Sequence, residues 1–195
     1  MMENVKQLGA LVLTLALAFT AYTAAAADRS APAPSRGSRI LIAYFSATNT
    51  TEGIARHLGA ILNADLYEIT PQTPYTAADL NYNTDCRANA EQQDPRARPA
   101  ISGNVADMGQ YDVIFLGYPI WWGQAPKIIS TFLESHDLRG KTIIPFCTSG
   151  GSGMGSSVTN LRPLAKGATF VDGRRFSGGA SRSTVESWVH SVLRK

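Results

Sequence analysis

Runs of consecutive apolar residues alternate along the chain with segments whose apolar residues recur every three or four positions. The apolar run Ile40–Phe45 is followed by Glu52–Leu62, whose spacing predicts an amphipathic helix. The run Tyr111–Tyr118 predicts a strand that is covered on both faces, and a helix is expected from Pro126 to about Ser135. Strands that alternate with helices are typical of a parallel sheet in an α/β fold.

The rest of the chain continues this alternation. Further strands are predicted at Asp65–Thr70, which Pro71 would end, at Thr142–Thr148 and at Thr169–Phe176, and further helices near Ser157–Ala165 and over Ser183–Leu193. These elements predict a doubly wound, five-stranded parallel sheet of order 2-1-3-4-5, with helices on both faces.

The segment Pro71–Gly103 interrupts the alternation. It is polar, contains four prolines and looks helical only at Asp85–Gln93, where Arg87 and Glu91 lie one turn apart. A span of this length without clear periodicity is more often a functional loop or a lid than a linker. The sequence leaves its role open.

The N-terminal residues have the pattern of an export signal. Lys6 precedes an uncharged stretch, Leu8–Ala27, that ends in four alanines before Asp28. Small residues at that end suit cleavage, so 1–27 is predicted to be a signal peptide, and the mature protein is expected in the periplasm and off the membrane. A retained membrane anchor is the alternative, because the stretch is nearly long enough to span a bilayer. The Pro/Ser/Gly-rich residues 28–38 predict a disordered tether before one domain over 39–195.

Composition and cysteine usage narrow the possible functions. Hydrophobic residues make up 44% of the chain, enough for a core, and the formal net charge is only +3, without a basic stripe, which argues against nucleic-acid binding. The two cysteines, Cys86 and Cys147, lack the spacing of a metal site. Export permits a disulfide between them, but a buried free thiol is the commoner outcome in a central strand such as that of Cys147.

Three loops with unusual composition follow predicted strands at their carboxyl ends, where doubly wound sheets bind ligands. Residues 46–51 (SATNTT) carry four hydroxyls just before a helix, whose free N–H groups and dipole favour an anion such as phosphate. An ordinary N-cap is the alternative interpretation. The loop Tyr118–Gly123 offers two adjacent indoles, and the glycine-rich Thr148–Gly155 lets backbone approach a flat ligand closely. A phosphate beside a planar ring is the shape of flavin mononucleotide (FMN).

These motifs resemble those of the flavodoxin-like family, and most of all its exported branch. The pattern Ser46-x-Thr48-Asn49-x-Thr51 is similar to the family's phosphate loop, Thr/Ser-x-Thr-Gly-x-Thr, with asparagine in place of the usual glycine. Asparagine is the next-best residue for left-handed backbone, so the loop is expected to keep its shape. Residues 118–123 (YPIWWG) and 146–153 (FCTSGGSG) resemble the two loops that hold the isoalloxazine ring.

The resemblance implies FMN as the cofactor and a set of residues that would bind it. The phosphate would be held by Ser46, Thr48, Asn49, Thr50 and Thr51, the ring would be flanked by Tyr118, Pro119, Ile120, Trp121, Trp122 and Gly123, and its far edge would be contacted by Thr148, Ser149, Gly150 and Gly151. No side chain is expected to act as a catalytic acid or base, and no metal is expected. One indole is expected to stack on the ring and the other to pack against the protein or the polar segment, because adjacent extended residues point in opposite directions. Packing of both indoles is the alternative.

Three functions remain compatible with these residues: an electron carrier, an FMN-dependent reductase of quinones or similar small acceptors, and a binding module that kept the fold but lost the flavin. Carrier flavodoxins tend to be acidic, so the mild positive charge counts against the first. Export in the unfolded state keeps the third open, because FMN would have to be acquired outside the cytoplasm. The expected partner is a redox protein or a small electron acceptor, and the oligomeric state is left open.

Overall fold

The computed structural model describes residues 39–193, and a six-stranded parallel sheet lies at its centre. The predicted signal peptide and tether lie outside the described residues. The strands are β1 (Ile40–Tyr44), β2 (Asp65–Glu68), β3 (Thr70–Pro71), β4 (Ile101–Ser102), β5 (Val113–Pro119), β6 (Thr142–Thr148), β7 (Thr169–Phe170) and β8 (Arg174–Phe176). The main sheet has the order β2-β1-β5-β6-β7, with β8 also paired to β6, while β3 and β4 form a separate antiparallel pair.

Five α-helices lie between or after these strands in residues 39–193. They are α1 (Thr50–Leu62), α2 (Arg87–Gln93), α3 (Lys127–Glu134), α4 (Ser157–Leu161) and α5 (Arg182–Val192), and short 3₁₀ turns occupy Met108–Gln110 and Arg162–Leu164. Within 39–193, none of the helices is long and apolar enough to cross a membrane.

The helices cover both faces of the sheet, as the continuous apolar strands predict. On one face, α1 and α5 pack through residues such as Leu58 and Trp188 against Ile42 and other side chains of the sheet. On the opposite face, α3 packs through residues such as Phe132 against Leu41 and its neighbours. Successive residues of β1 alternate between the two cores, so both faces of the strand are buried.

The predicted strand order is confirmed, but two predicted strands are divided. Pairing of β2 in the main sheet stops at Glu68, and Pro71 does not end a strand as predicted but lies in β3, paired with Ile101. The last predicted strand is divided into β7 and β8, which pair with opposite ends of β6. The Ile143 carbonyl accepts a hydrogen bond from Val171 N–H. Because every second residue of a parallel strand bonds to the same neighbouring strand, Pro145 also faces the side of β6 on which β7 and β8 lie. Proline has no N–H, so it cannot continue the hydrogen-bond ladder on that side.

The two cysteines are buried and unpaired, the outcome that sequence favoured for Cys147. Burial of the Cys147 thiol in β6 raises its pKa to about 12, while the nearby Arg175 has a smaller effect in the opposite direction. The thiol is therefore neutral at physiological pH and belongs to the core.

Candidate functional site

A cleft of about 370 Å³ lies at the carboxyl ends of β1 and β5. Three parts of the chain form its walls: the loop after β1, the loop after β5 and the polar segment Pro71–Gly103. The lining residues are Ser46, Ala47, Thr48, Thr51, Leu80, Tyr82, Ala88, Asn89, Pro119, Ile120, Trp121 and Trp122. None of them carries a formal charge, so a ligand here meets aromatic faces, hydroxyls and backbone dipoles.

The loop after β1 adopts the shape that an anion-binding loop needs. Asn49 has left-handed backbone, with φ 59° and ψ 3°, and α1 begins at the next residue. This confirms that asparagine keeps the loop shape expected for glycine at this position. The Asn49 side chain makes no capping hydrogen bond, so the ordinary N-cap interpretation is not supported and the helix start keeps its positive dipole end for a ligand.

The hydroxyls of this loop fall into two groups. The buried Ser46 Oγ has no hydrogen-bond partner in the described part of the chain, and the exposed Thr48 contacts Thr50, at 3.2 Å from Oγ1 to Oγ1. By contrast, Thr51 Oγ1 lies 2.8 Å from Thr148 Oγ1, and this buried pair joins the first turn of α1 to the end of β6. An unpaired buried hydroxyl costs roughly 1–3 kcal/mol, so Ser46 is the side chain that most needs a ligand.

The two indoles have different surroundings, as expected from the sequence, although Trp122 does not have the extended backbone on which that expectation rested. Trp121 is partly buried and packs edge-on against Phe45 and Tyr75, with ring centroids 5.5 and 5.4 Å away. Trp122 is 59% exposed at the mouth of the cleft. Trp121 is therefore the packing residue, and Trp122 is the one that a planar ligand can reach.

A tight turn presents Trp122 to the cleft. Trp121 and Gln124 exchange backbone hydrogen bonds of 2.9 and 3.1 Å, and the two residues between them have positive φ, 51° for Trp122 and 71° for Gly123. Positive φ at both central positions defines a type I′ turn, for which Asn-Gly is the favoured sequence. Tryptophan is a strained choice there, and strain of this kind often marks a functional position.

The polar segment supplies the partner that fixes Trp122. The indole Nε1 donates to Asn89 Oδ1 at 2.9 Å, and the Asn89 amide donates to the carbonyls of Tyr82 and Thr84 at 3.1 and 2.7 Å. The Gln92 amide donates to the Trp121 carbonyl at 3.0 Å. Helix α2 is thus bonded directly to the indole loop, and the segment is a wall of the cleft and not a linker.

Tyr75 connects the same segment to the core. Its hydroxyl donates to Glu91, and the Arg87 guanidinium lies 3.9 Å above its ring centre. Burial and the bond to Glu91 raise the pKa of Tyr75 well above its ordinary value, so the phenol stays protonated. Because the Tyr75 ring also touches Trp121, these contacts hold the wall against the indole loop.

Comparison with known families and structures agrees with this geometry. The profile of the Flavodoxin family matches residues 39–192. The chain belongs to the flavodoxin family. Two solved candidate flavoproteins are similar to it with a TM-score of 0.75: one from Bacteroides eggerthii is 46% identical, covering 80% of this chain and 98% of that one. The other, from Bacteroides uniformis, is 42% identical and covers 80% and 99%.

A less similar solved structure shares the fold. A flavoprotein from Lactobacillus acidophilus, solved in complex with FMN, is 24% identical, with a TM-score of 0.64 and coverage of 79% of this chain and 97% of that one. A comparison with curated proteins gave no match.

Within this flavodoxin domain, the predicted site residues divide into those that the cleft gathers and those that it does not. The cleft contains Ser46, Thr48, Thr51, Pro119, Ile120, Trp121 and Trp122. Asn49 and Thr50 form the helix start beside it, and Gly123 completes the turn. Tyr118 is fully buried in the core, with its hydroxyl donating to Ser157 Oγ at 3.1 Å, and it is not among the residues that line the cleft.

The third predicted loop lies beside the cleft and not in its lining. Thr148 is buried against Thr51, while Gly150 and Gly151 are exposed, with no neighbour within 4 Å of a Cβ built on either. A contact between Thr148–Gly151 and a ligand therefore stays a prediction. Leu80, Tyr82, Ala88 and Asn89 were not predicted, because their segment has no periodicity. Its unusual length and its central helix were the available signals.

Proposed function

We propose that this protein binds FMN in the cleft and acts as a flavin-dependent redox protein. The observation that carries the proposal is the meeting of an uncapped helix start, an unpartnered buried hydroxyl and an exposed indole in one uncharged cleft. The FMN complex of the Lactobacillus acidophilus flavoprotein, on the same fold, supports the proposal.

The residues present fit the two ends of FMN. The phosphate suits the start of α1, where Ser46 Oγ and Thr48 Oγ1 can donate together with backbone N–H groups. The ring suits the space beside Trp122, which offers a flat apolar face. A cleft of about 370 Å³ is within the usual range of roughly 300–1,000 Å³ for small-molecule sites.

When bound, FMN supplies the electron-transfer chemistry, and the protein supplies position and electrostatics. Trp122 excludes water from one face of the ring, and Asn89 holds the indole in place through its 2.9 Å hydrogen bond. Trp121 fixes the base of the turn against Phe45. None of the described residues that line the cleft is a carboxylate, histidine, lysine or cysteine.

Reduction of a small planar acceptor, such as a quinone, is the narrower function that we favour. The polar segment encloses one side of the cleft with Leu80 and Tyr82, which suits an apolar small molecule. Electron transfer to a protein partner is the second candidate, because Tyr82 and Trp122 are 67% and 59% exposed and their rings lie 6.4 Å apart at the rim.

The two candidates are separated by steady-state oxidation of NADH and NADPH by FMN-loaded protein. The reductase account expects slow oxidation without an acceptor and oxidation stimulated by a soluble quinone, with free FMN at the same concentration as the control. Stimulation no greater than that of free FMN would contradict the reductase account. Absence of bound FMN would contradict the flavin proposal itself.

A further inference from the structure

A half-buried guanidinium lies behind the glycine-rich loop. Arg175 is on β8, in register with Cys147 at the carboxyl end of β6. Its Nη2 donates to the Ser149 carbonyl at 2.9 Å, and its Nε donates to Ser149 Oγ at 3.3 Å. The side chain therefore points towards the loop Thr148–Gly151 and binds it by two hydrogen bonds.

Within residues 39–193, no carboxylate lies within salt-bridge distance of Arg175. Arg56, Arg98 and Arg139 each form a salt bridge with a nearby acidic side chain, whereas Arg175 forms none. The positive charge of Arg175 acts on the carboxyl end of β6, because it lowers the pKa of Cys147 there, against the larger effect of burial. A cation that is partly shielded from water acts over a longer range than an exposed one.

The loop that Arg175 holds is tied into the site. Ser149 N–H donates to the Phe176 carbonyl at 3.2 Å, and Ser149 Oγ donates to the Ser152 carbonyl. The preceding residue, Thr148, pairs with Thr51 of the phosphate loop at 2.8 Å. Gly150 and Gly151 have open space around them, so the bonds to Ser149 are what fix this part of the loop.

We propose that Arg175 is a positioning residue that fixes Ser149 and holds a positive charge behind the loop next to the cleft, where it raises the reduction potential of bound FMN. The inference rests on the proposed function. Two-electron reduction makes the ring system more electron-rich, so a nearby cation stabilises reduced FMN more than oxidised FMN. No neutral residue that only held the loop would have this effect.

The test compares three variants after loading with FMN. Arg175→Gln removes the charge, Arg175→Lys keeps it, and Arg174→Gln is the control, because that exposed neighbour lies over the Phe176 ring, 5.3 Å from its centre. Each protein is reduced stepwise with dithionite beside a reference dye, and affinity for oxidised FMN is measured separately.

For Arg175→Gln, we expect affinity for reduced FMN to fall about tenfold more than affinity for oxidised FMN. That ratio corresponds to a potential lower by about 30 mV for a two-electron couple. Arg175→Lys should keep most of the wild-type potential but bind oxidised FMN less tightly, because lysine lacks the planar fork that makes both bonds to Ser149.

An unchanged potential in Arg175→Gln, with FMN still bound, would overturn the inference and leave the proposed function intact. If Arg175→Gln does not fold, a drop in the potential of Arg175→Lys would equally overturn it. If the wild-type protein binds no FMN, the proposed function itself fails.

Discussion

Replacing Trp122 by asparagine separates ligand stacking from folding more cleanly than replacement by alanine. Trp122 occupies the first central position of the type I′ turn with φ 51°, followed by Gly123. Asn-Gly is the favoured pair for this turn, so Trp122→Asn supplies the residue that the backbone prefers. It also removes the only indole that is exposed at the mouth of the cleft in the described part of the chain.

The expected effect on stability is small because two contributions oppose each other. Left-handed backbone costs an ordinary residue roughly 1–2 kcal/mol, and asparagine avoids most of this cost. The lost hydrogen bond to Asn89, which spans 2.9 Å, contributes about 0.5–1.5 kcal/mol. The free energy of unfolding of the apoprotein should therefore stay within about 1 kcal/mol of wild type or rise.

The expected effect on flavin binding is large. Stacking of a heteroaromatic ring on an aromatic side chain contributes about 1–3 kcal/mol, which corresponds to roughly 5- to 150-fold in affinity. The matched variant is Trp121→Ala, which removes the ring packed on Phe45 and Tyr75 and should lower apoprotein stability by about 2–4 kcal/mol. Urea unfolding of the apoprotein and FMN titration by fluorescence quenching measure both quantities.

Two results would refute this reasoning. Wild-type FMN affinity in Trp122→Asn would show that Trp122 does not stack on the ring. A loss of more than about 2 kcal/mol in its apoprotein would show that the turn is not strained as its φ indicates. If both variants kept wild-type affinity, packing alone would explain the two indoles.

Three further predictions concern the phosphate loop, the core and alkaline pH. Thr48→Ala should weaken the binding of FMN by about 1.5–3 kcal/mol and leave the binding of riboflavin, which has no phosphate, nearly unchanged. Equal losses of affinity in the two titrations would place the phosphate elsewhere. Gly117→Ala would put a Cβ 2.2 Å from the Phe146 ring and should lower the free energy of unfolding, measured in urea, by about 1–3 kcal/mol. Gly53→Ala, with open space around its Cβ, should stabilise α1 by about 0.5–1 kcal/mol, and the reverse ranking would contradict the packing described here. Because burial raises the pKa of Cys147 from 9.0 to about 12, the folded protein holds more protons than the unfolded chain in that range. Stability should therefore be fully present below about pH 9 and fall as the pH rises, with a shallower fall in Cys147→Ala measured by the same unfolding assay.

The sequence predicts the parts of this structure that depend on local pattern. The predicted strand Thr142–Thr148 matches β6 at both ends. In a doubly wound sheet, a continuous apolar run between polar residues is expected to be a strand that helices cover on both faces. The left-handed Asn49 follows from its position in the loop motif and from the tolerance of asparagine for positive φ.

What the sequence could not predict depends on partners far apart in the chain. The bond from Trp122 to Asn89 joins residues 33 positions apart, and nothing in the polar segment indicates which amide would reach the indole. The division of the last strand depends on which neighbour Pro145 faces, and this is known only once the register of β6 is known. Such features follow from tertiary pairing and not from periodicity.

The most direct measurement of the central claim is the stoichiometry of FMN retained by the protein. The predicted mature chain, from Asp28 onward, is incubated with excess FMN, passed through gel filtration and analysed by absorbance, with riboflavin as the parallel ligand. We expect a yellow protein peak with one FMN per chain, quenched flavin fluorescence and much less retained riboflavin. A colourless protein peak, with free FMN eluting separately and unquenched, would contradict the account.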